Sequence, residues 1–402
     1  MMGEPLVNSN MGQETANSTT LSPKTELFVS ALKDGGISFR VINIPPSTPE
    51  HALQDIVVLN ETPRLEPTIR VFRGVNDLTP KTIFNQVAYA ARNRTELGDI
   101  EVIPEVQPLV EKLAHEPTYD NLRVYIDTMG RHATPATRQR LINSLQELED
   151  NILNGYSLRS SLLLVQFRFP AGNPTDAITP YVSGTNDPKE ALGYGTRGGL
   201  IVIDLPASEI EPNGSEIAIK GGIKPEYITA IIPREPIRDA NIGEELLNAL
   251  KTLDEKVQTG VMSPEESQRA IKDIEVQQEA FDKEQLPKDV AAVQLHRTAQ
   301  LQEIFPDIEL DLQRLTIDAQ QHNIDIYTCA VKLVYEHFDR EARQLGIDNL
   351  FEFVKNNRMT YRRGRYEMPY ELHKPNNEML KALRGFLDYR IEREKRYATI
   401  KD

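Results

Sequence analysis

Apolar residues recur along this chain with two different periods, and the change of period divides it. Thr68 to Gly74 alternates apolar and polar positions and ends on glycine, which predicts a strand. Thr79 to Arg92 turns helical, as do Val106 to Leu113 and Pro135 to Asn154. In the last of these Leu141, Leu145, Leu148 and Ile152 fall at three- and four-residue spacing. Five short runs follow: Leu162 to Phe169, Tyr181 to Ser183, Leu200 to Leu205, Glu216 to Lys220 and Tyr227 to Ile232. They are apolar or alternating and are separated by Gly, Pro and Asn, which predicts a mainly antiparallel sheet. After Pro233 the strand signals stop. Helices are expected over Asn241 to Gln258, Ser263 to Glu284, Val290 to Ile304, Leu310 to Gln320, Asp325 to Leu345 and Asn376 to Tyr397.

The N-terminal stretch reads differently. Residues 1–24 are rich in Asn, Ser, Thr and Gly, with too few large apolar groups to offset the entropy of ordering them, so a disordered tail is expected. A short helix over Thr25 to Lys33 and a strand over Ile37 to Ile44 come next. The expected organisation is α+β: an antiparallel sheet domain with an enlarged helical lobe over residues 25–235, then an all-helical domain over 236–402.

Composition narrows the class. A chain of 402 residues exceeds one ordinary domain. Mean hydropathy is −0.44, and no apolar run approaches the ~20 residues a membrane helix needs. No basic start followed by an apolar stretch marks a Sec signal, an absence that a cytoplasmic protein and one delivered by a specialised export system would share. The net charge of −14 opposes non-specific nucleic-acid binding. Cys329 stands alone, which excludes an internal disulfide and a multi-thiolate metal site. The histidines (His51, His115, His132, His296, His322, His337 and His373) show no metal-ligand spacing.

Three elements carry candidate chemistry. Arg73 ends a strand before Gly74, so a planar guanidinium that suits a pyrophosphate stands beside backbone a ligand can approach. Tyr181-Val182-Ser183-Gly184-Thr185 sets a tyrosine and two hydroxyls on one side of a strand. The residues after it, Asp187 to Ala191 and then Gly193-Tyr194-Gly195 and Gly198-Gly199, suit a short helix and a flexible ligand cover. Glu216 opens a strand directly after a turn. A fixed carboxylate there would stabilise the cation that develops as a glycosidic bond breaks. Each piece alone is also what an ordinary strand end or turn produces; their order is what combines them.

Arginine, then a serine-bearing strand, then glutamate is similar to the R-S-E arrangement of clostridial-toxin-like mono-ADP-ribosyltransferases, a class of bacterial toxins and effectors. Phe72-Arg73-Gly74 resembles the first motif of that family and Tyr181 to Pro188 its aromatic-x-Ser-Thr-Ser motif. The strands Leu200 to Pro206 and Glu216 to Ile219 resemble those that carry its catalytic glutamate. The resemblance covers Ile69 to Pro233. It implies transfer of ADP-ribose from NAD to a protein acceptor, expected to be a host protein, without a metal. It further implies that Arg73, Gly74, Ser183, Thr185 and Tyr194 bind NAD, that Ser183 braces the site and that Glu216 catalyses.

Departures from the pattern keep other readings open. Gly184 stands where the family has threonine, and Gly214 where arginine-modifying members carry glutamate. An NAD glycohydrolase of the same fold is one alternative; a non-catalytic helical adaptor is another. The basic cluster Lys355, Arg358, Arg362, Arg363 and Arg365, interleaved with Tyr361 and Tyr366, is expected to be a solvated loop or to meet an acidic partner or lipid head groups.

Overall fold

A computed structural model describes residues 21–44, 55–61, 64–94, 100–168, 178–214, 216–234, 242–257, 260–350 and 377–401. Residues 1–20 of the expected tail and the basic cluster at 355–366 lie outside them. Ser22 to Lys24, expected in that tail, are instead ordered, because the buried Ser22 caps the helix that begins at Pro23. In chain order the elements are α1 (Pro23–Asp34), β1 (Arg40–Asn43), β2 (Asp55–Val58), β3 (Thr68–Val75), α2 (Pro80–Phe84), β4 (Gln86–Val87), β5 (Arg92–Arg94) and β6 (Ile100–Val102). The helices α3 (Gln107–His115), α4 (Tyr119–His132), α5 (Pro135–Leu153) and α6 (Leu158–Arg168) follow. Then come β7 (Tyr181–Thr185), α7 (Pro188–Tyr194), β8 (Gly199–Pro206), β9 (Ile210–Asn213), β10 (Glu216–Lys220), β11 (Gly222–Ile223) and β12 (Ile228–Pro233). The chain closes with α8 (Ile242–Lys256), α9 (Pro264–Ile304), α10 (Leu312–His322), α11 (Ile326–Gln344) and α12 (Asn377–Lys401).

Among the described residues, eight strands form one antiparallel sheet in the order β1-β2-β12-β8-β3-β7-β10-β9. The fold is therefore mixed α and β with an antiparallel core, and α3 to α6 make the expected helical lobe between β6 and β7. One face of the sheet buries Ile56, Val58, Phe72, Leu200, Val202, Ala230 and Ile232. Ala191 and Leu192 of α7 cover it, together with Leu246, Ala249, Leu250 and Leu253 of α8. No described helix is long and apolar enough to cross a membrane.

Several elements differ from expectation. Of the run at Leu162 to Phe169, Leu162 to Arg168 is helical, as the second half of α6, and Phe169 lies outside the described residues. Ser157 starts that helix by accepting a hydrogen bond from the Ser160 amide at 3.1 Å. Leu158 and Leu162 are buried while Leu164 is exposed, so the apolar run wraps a helix rather than lining a strand. Thr79 to Arg92 is α-helical only over α2, with a single 3-10 turn at Tyr89–Ala91, because Gln86 and Val87 leave the pattern to pair with β11. Tertiary pairing there overrides local pattern. Arg131 and His132 end α4, which Thr118 starts by accepting a hydrogen bond from the Asn121 amide. The two helices expected at Ser263 to Glu284 and Val290 to Ile304 are one, α9, which continues through Pro287.

The chain divides into two compact units: residues 1–151 with 156–284, and residues 152–155 with 285–402. The division thus lies well beyond the expected boundary at 235/236. The apolar side of α8 is spent on the sheet, so that helix belongs to the first unit. The second unit is all helical. Leu301, Phe305, Leu315, Val331, Val334, Phe338, Leu383 and Leu387 form its core. Phe305 and Phe338 meet there edge to face at 5.3 Å. Cys329 is buried in the same unit, and desolvation pushes its thiol up, as suits an inert packing residue.

Candidate functional site

The strands that carry Arg73, Ser183 and Glu216 are neighbours: β3 pairs with β7, and β7 with β10. Register decides which side chains share a face. Phe72 stands opposite Thr185, Thr185 opposite Glu216, and Ser183 opposite Ala218. Residues directly opposite project to one side, and side chains alternate along each strand. Ser183, Thr185 and Glu216 therefore share a face with Phe72, whereas Arg73, one residue along, projects to the other. The structure brings the hydroxyls and the carboxylate together and does not bring Arg73 onto their face.

Arg73 is engaged where it lies. Its Nε donates to Gln86 Oε1 at 2.9 Å and its Nη1 to the Ser183 carbonyl at 2.5 Å. The guanidinium thus ties β4 to the backbone of β7.

Gly74 also differs from expectation. A Cβ there would stand 1.9 Å from the Ala191 carbonyl oxygen and 2.5 Å from the Gly195 nitrogen. The space above Gly74 is filled by the end of α7, not left for a ligand. Gly195 meets Gly199 and Gly74 in turn, and Gly195, Gly198 and Gly199 are buried. The segment expected to be a flexible cover is closely packed backbone. Tyr194, the last residue of α7, is 62% exposed.

Thr185 is nearly buried, and its hydroxyl is committed. It donates to Glu190 Oε2 at 2.9 Å and accepts from the Asp187 amide at 3.1 Å. Asp187 caps α7 by accepting from the Lys189 amide. These bonds fix the β7–α7 corner and set Glu190 beside the strand pair. Glu216 is half-buried, and burial first, then the charge of Glu190, pushes its carboxyl above the usual glutamate range. Glu190 is a residue that sequence reasoning missed. It reads there only as a first-turn acid of a short helix, and nothing local tells that Thr185 draws it toward Glu216.

A second charged group lies further along the same face. Glu211 stands opposite Ala218 and is 2% exposed. Arg159 Nη1 donates to Glu211 Oε1 at 2.7 Å, and the same guanidinium grips both carboxylate oxygens of Asp282. Lys220 approaches Glu211 at 3.6 Å. Burial raises the Glu211 carboxyl, while Lys220 and Arg159 pull it down. The Tyr181 hydroxyl is fully buried beside this group, has no hydrogen-bond partner among the described residues, and is raised by desolvation. A cleft of about 490 Å³ opens here, lined by His115, Arg159, Glu211, Lys220, Asp273 and Phe281 among others. Among the described residues no group of three His, Cys, Asp or Glu side chains is arranged to hold a metal ion.

Comparison with protein families, with curated proteins and with solved structures finds no match for this chain. Its chemistry is read from its own geometry. A half-buried carboxylate with a raised affinity for protons shares its face with a serine one row away on the adjacent strand, and a second carboxylate acts on it. Such a group can stabilise a developing cation or exchange a proton.

Proposed function

We propose that the chain cleaves the bond between nicotinamide and ribose in NAD and passes ADP-ribose to a protein acceptor, with Glu216 as the catalytic carboxylate. The observation that carries this reading is the register that sets Ser183 and Glu216 on one face of adjacent strands. Departure of neutral nicotinamide leaves an oxocarbenium-like ribose. A carboxylate held in partly desolvated surroundings stabilises that cation more than a solvated one would. Ser183, diagonal to Glu216 across the strand pair, is within reach of a ribose hydroxyl. Arg73 serves here as a positioning residue: it holds the Ser183 carbonyl, and so the strand under the hydroxyl. The antiparallel sheet, the helical lobe and the R-S-E order on three adjacent strands support an ADP-ribosyltransferase-like fold.

The test is nicotinamide release from NAD by the purified protein, with and without cell lysate. Glu216→Gln is expected to lower release by about 10²- to 10³-fold, the cost of removing one electrostatic contact to the transition state. Folded wild-type protein that releases no nicotinamide with lysate present overturns the reading.

A second reading, hydrolysis of NAD with water as acceptor, is favoured by one observation. Gly214, two residues before Glu216, occupies a tight turn with φ of 66° and presents no side chain to an incoming protein. Labelled protein bands support transfer; free ADP-ribose alone supports hydrolysis.

A further inference from the structure

The fold brings a second carboxylate to Glu216 from an element that carries no strand motif. α7 settles onto β3 because Gly74 and Gly195 leave room for its backbone, with the Ala191 carbonyl lying over Gly74. Its first turn then stands at the end of β7, where the Thr185 hydroxyl donates to Glu190 Oε2. Thr185 is itself the residue paired with Glu216. The two glutamates therefore meet at one buried threonine, Glu190 through its hydrogen bond and Glu216 as its partner across the strand pair. Among the described residues no hydrogen-bond donor reaches Glu190 Oε1, so one oxygen is held and the other is available to take a proton. Tyr194 lies one helical turn beyond Glu190, on the same side of α7, with its ring largely in solvent.

We propose that Glu190 is the general base of this site, taking the proton from the acceptor nucleophile, and this rests on the reading of Glu216 given above. The two carboxylates then divide the reaction. Glu216 stays ionised beside the ribose while the bond from its anomeric carbon to the nicotinamide nitrogen breaks, its electron pair leaving with the ring. A lone pair of the acceptor forms the new bond to that carbon, and the acceptor's proton passes to Glu190 and from there to water. Acceptors that gain from this are those with both a lone pair and a proton to lose: a hydroxyl, a neutral N–H group or water itself. Held by Thr185, Glu190 needs no reorientation at the moment of attack.

Glu190→Gln keeps an acceptor oxygen for Thr185 but cannot take a proton. With the full chain and NAD, it is expected to lower both protein labelling and ADP-ribose formation about 10²-fold, the usual contribution of a general base. Glu190→Asp should recover part of the loss. Azide, which attacks without losing a proton, should be taken up by the Glu190→Gln protein as fast as by wild type; a variant that had merely lost its local structure would not accept it. A measurement independent of turnover is the titration of Glu216 followed by carboxyl NMR. In Glu190→Gln it should move to lower pH, with Asp187 and Lys189 left in place as the other charged groups of α7. Unchanged labelling in Glu190→Gln, no recovery by azide, or an unmoved Glu216 titration each overturns the inference while leaving Glu216 chemistry intact. Wild-type protein that releases no nicotinamide overturns both.

Discussion

A methyl group on Gly74 would meet the Ala191 carbonyl oxygen at 1.9 Å, and both of its nearest contacts are backbone. Neither can rotate away, so Gly74→Ala is expected to lift α7 from β3 and cost about 3 kcal/mol, the upper part of the range for overpacking. Urea denaturation reads this as a lower midpoint. Because α7 carries Glu190, the same change should also disturb the carboxylate pair. At this scale the sequence named Ser183 and Glu216, which the register sets on one face, and it named Arg73, which the register sets on the other. The difference is one residue of strand pairing. Side chains alternate, so the face of a strand residue is settled only by its partner, and no local pattern states the partner. Glu190 escaped for a similar reason: its neighbourhood is made by a helix, a corner and a strand that the chain brings together from residues 185–216.

The pairing of α6, α9 and β9 rests on charge. Arg159, from α6, joins Glu211 of β9 to Asp282 of α9, and Glu211 is almost completely buried. Arg159→Leu would leave that carboxylate with only Lys220 at 3.6 Å, which should destabilise the protein by about 3 kcal/mol at neutral pH. The sign of the pH effect follows from burial. The Glu211 carboxyl already lies above its ordinary value, and losing Arg159 raises it further. The penalty falls on the ionised form, so it shrinks as pH falls through the raised value and the carboxyl takes a proton. Thermal melts of variant and wild type should therefore draw closer between neutral and mildly acidic pH. The elements legible in sequence were those with a clean period, such as β3, β10 and α5. The apolar run in α6 has neither alternation nor a strand's bounds, and α2 stops where β4 finds a partner, so both needed the third dimension.

The whole chain divides later than its sequence signals suggest. Strand patterns end at Pro233, yet Leu246, Leu250 and Leu253 of α8 complete the sheet's core. A chain ended at residue 240 would lose roughly 6 kcal/mol, taking about 2 kcal/mol per buried leucine. That is comparable with the entire stability of a typical domain. Such a truncation is expected to lose cooperative unfolding by circular dichroism, whereas one ended at residue 284 keeps it. Any trial of whether the second unit selects an acceptor must cut inside α9. Pro287 sits there, three residues past the division, and has no amide hydrogen to offer the carbonyl of Lys283. One backbone hydrogen bond of α9 is thus missing near the point where the chain divides, though the helix itself runs on. Every buried residue of α9 (Asp289, Val293, Thr298 and Leu301) lies beyond that proline, so burial holds this helix only in its second half.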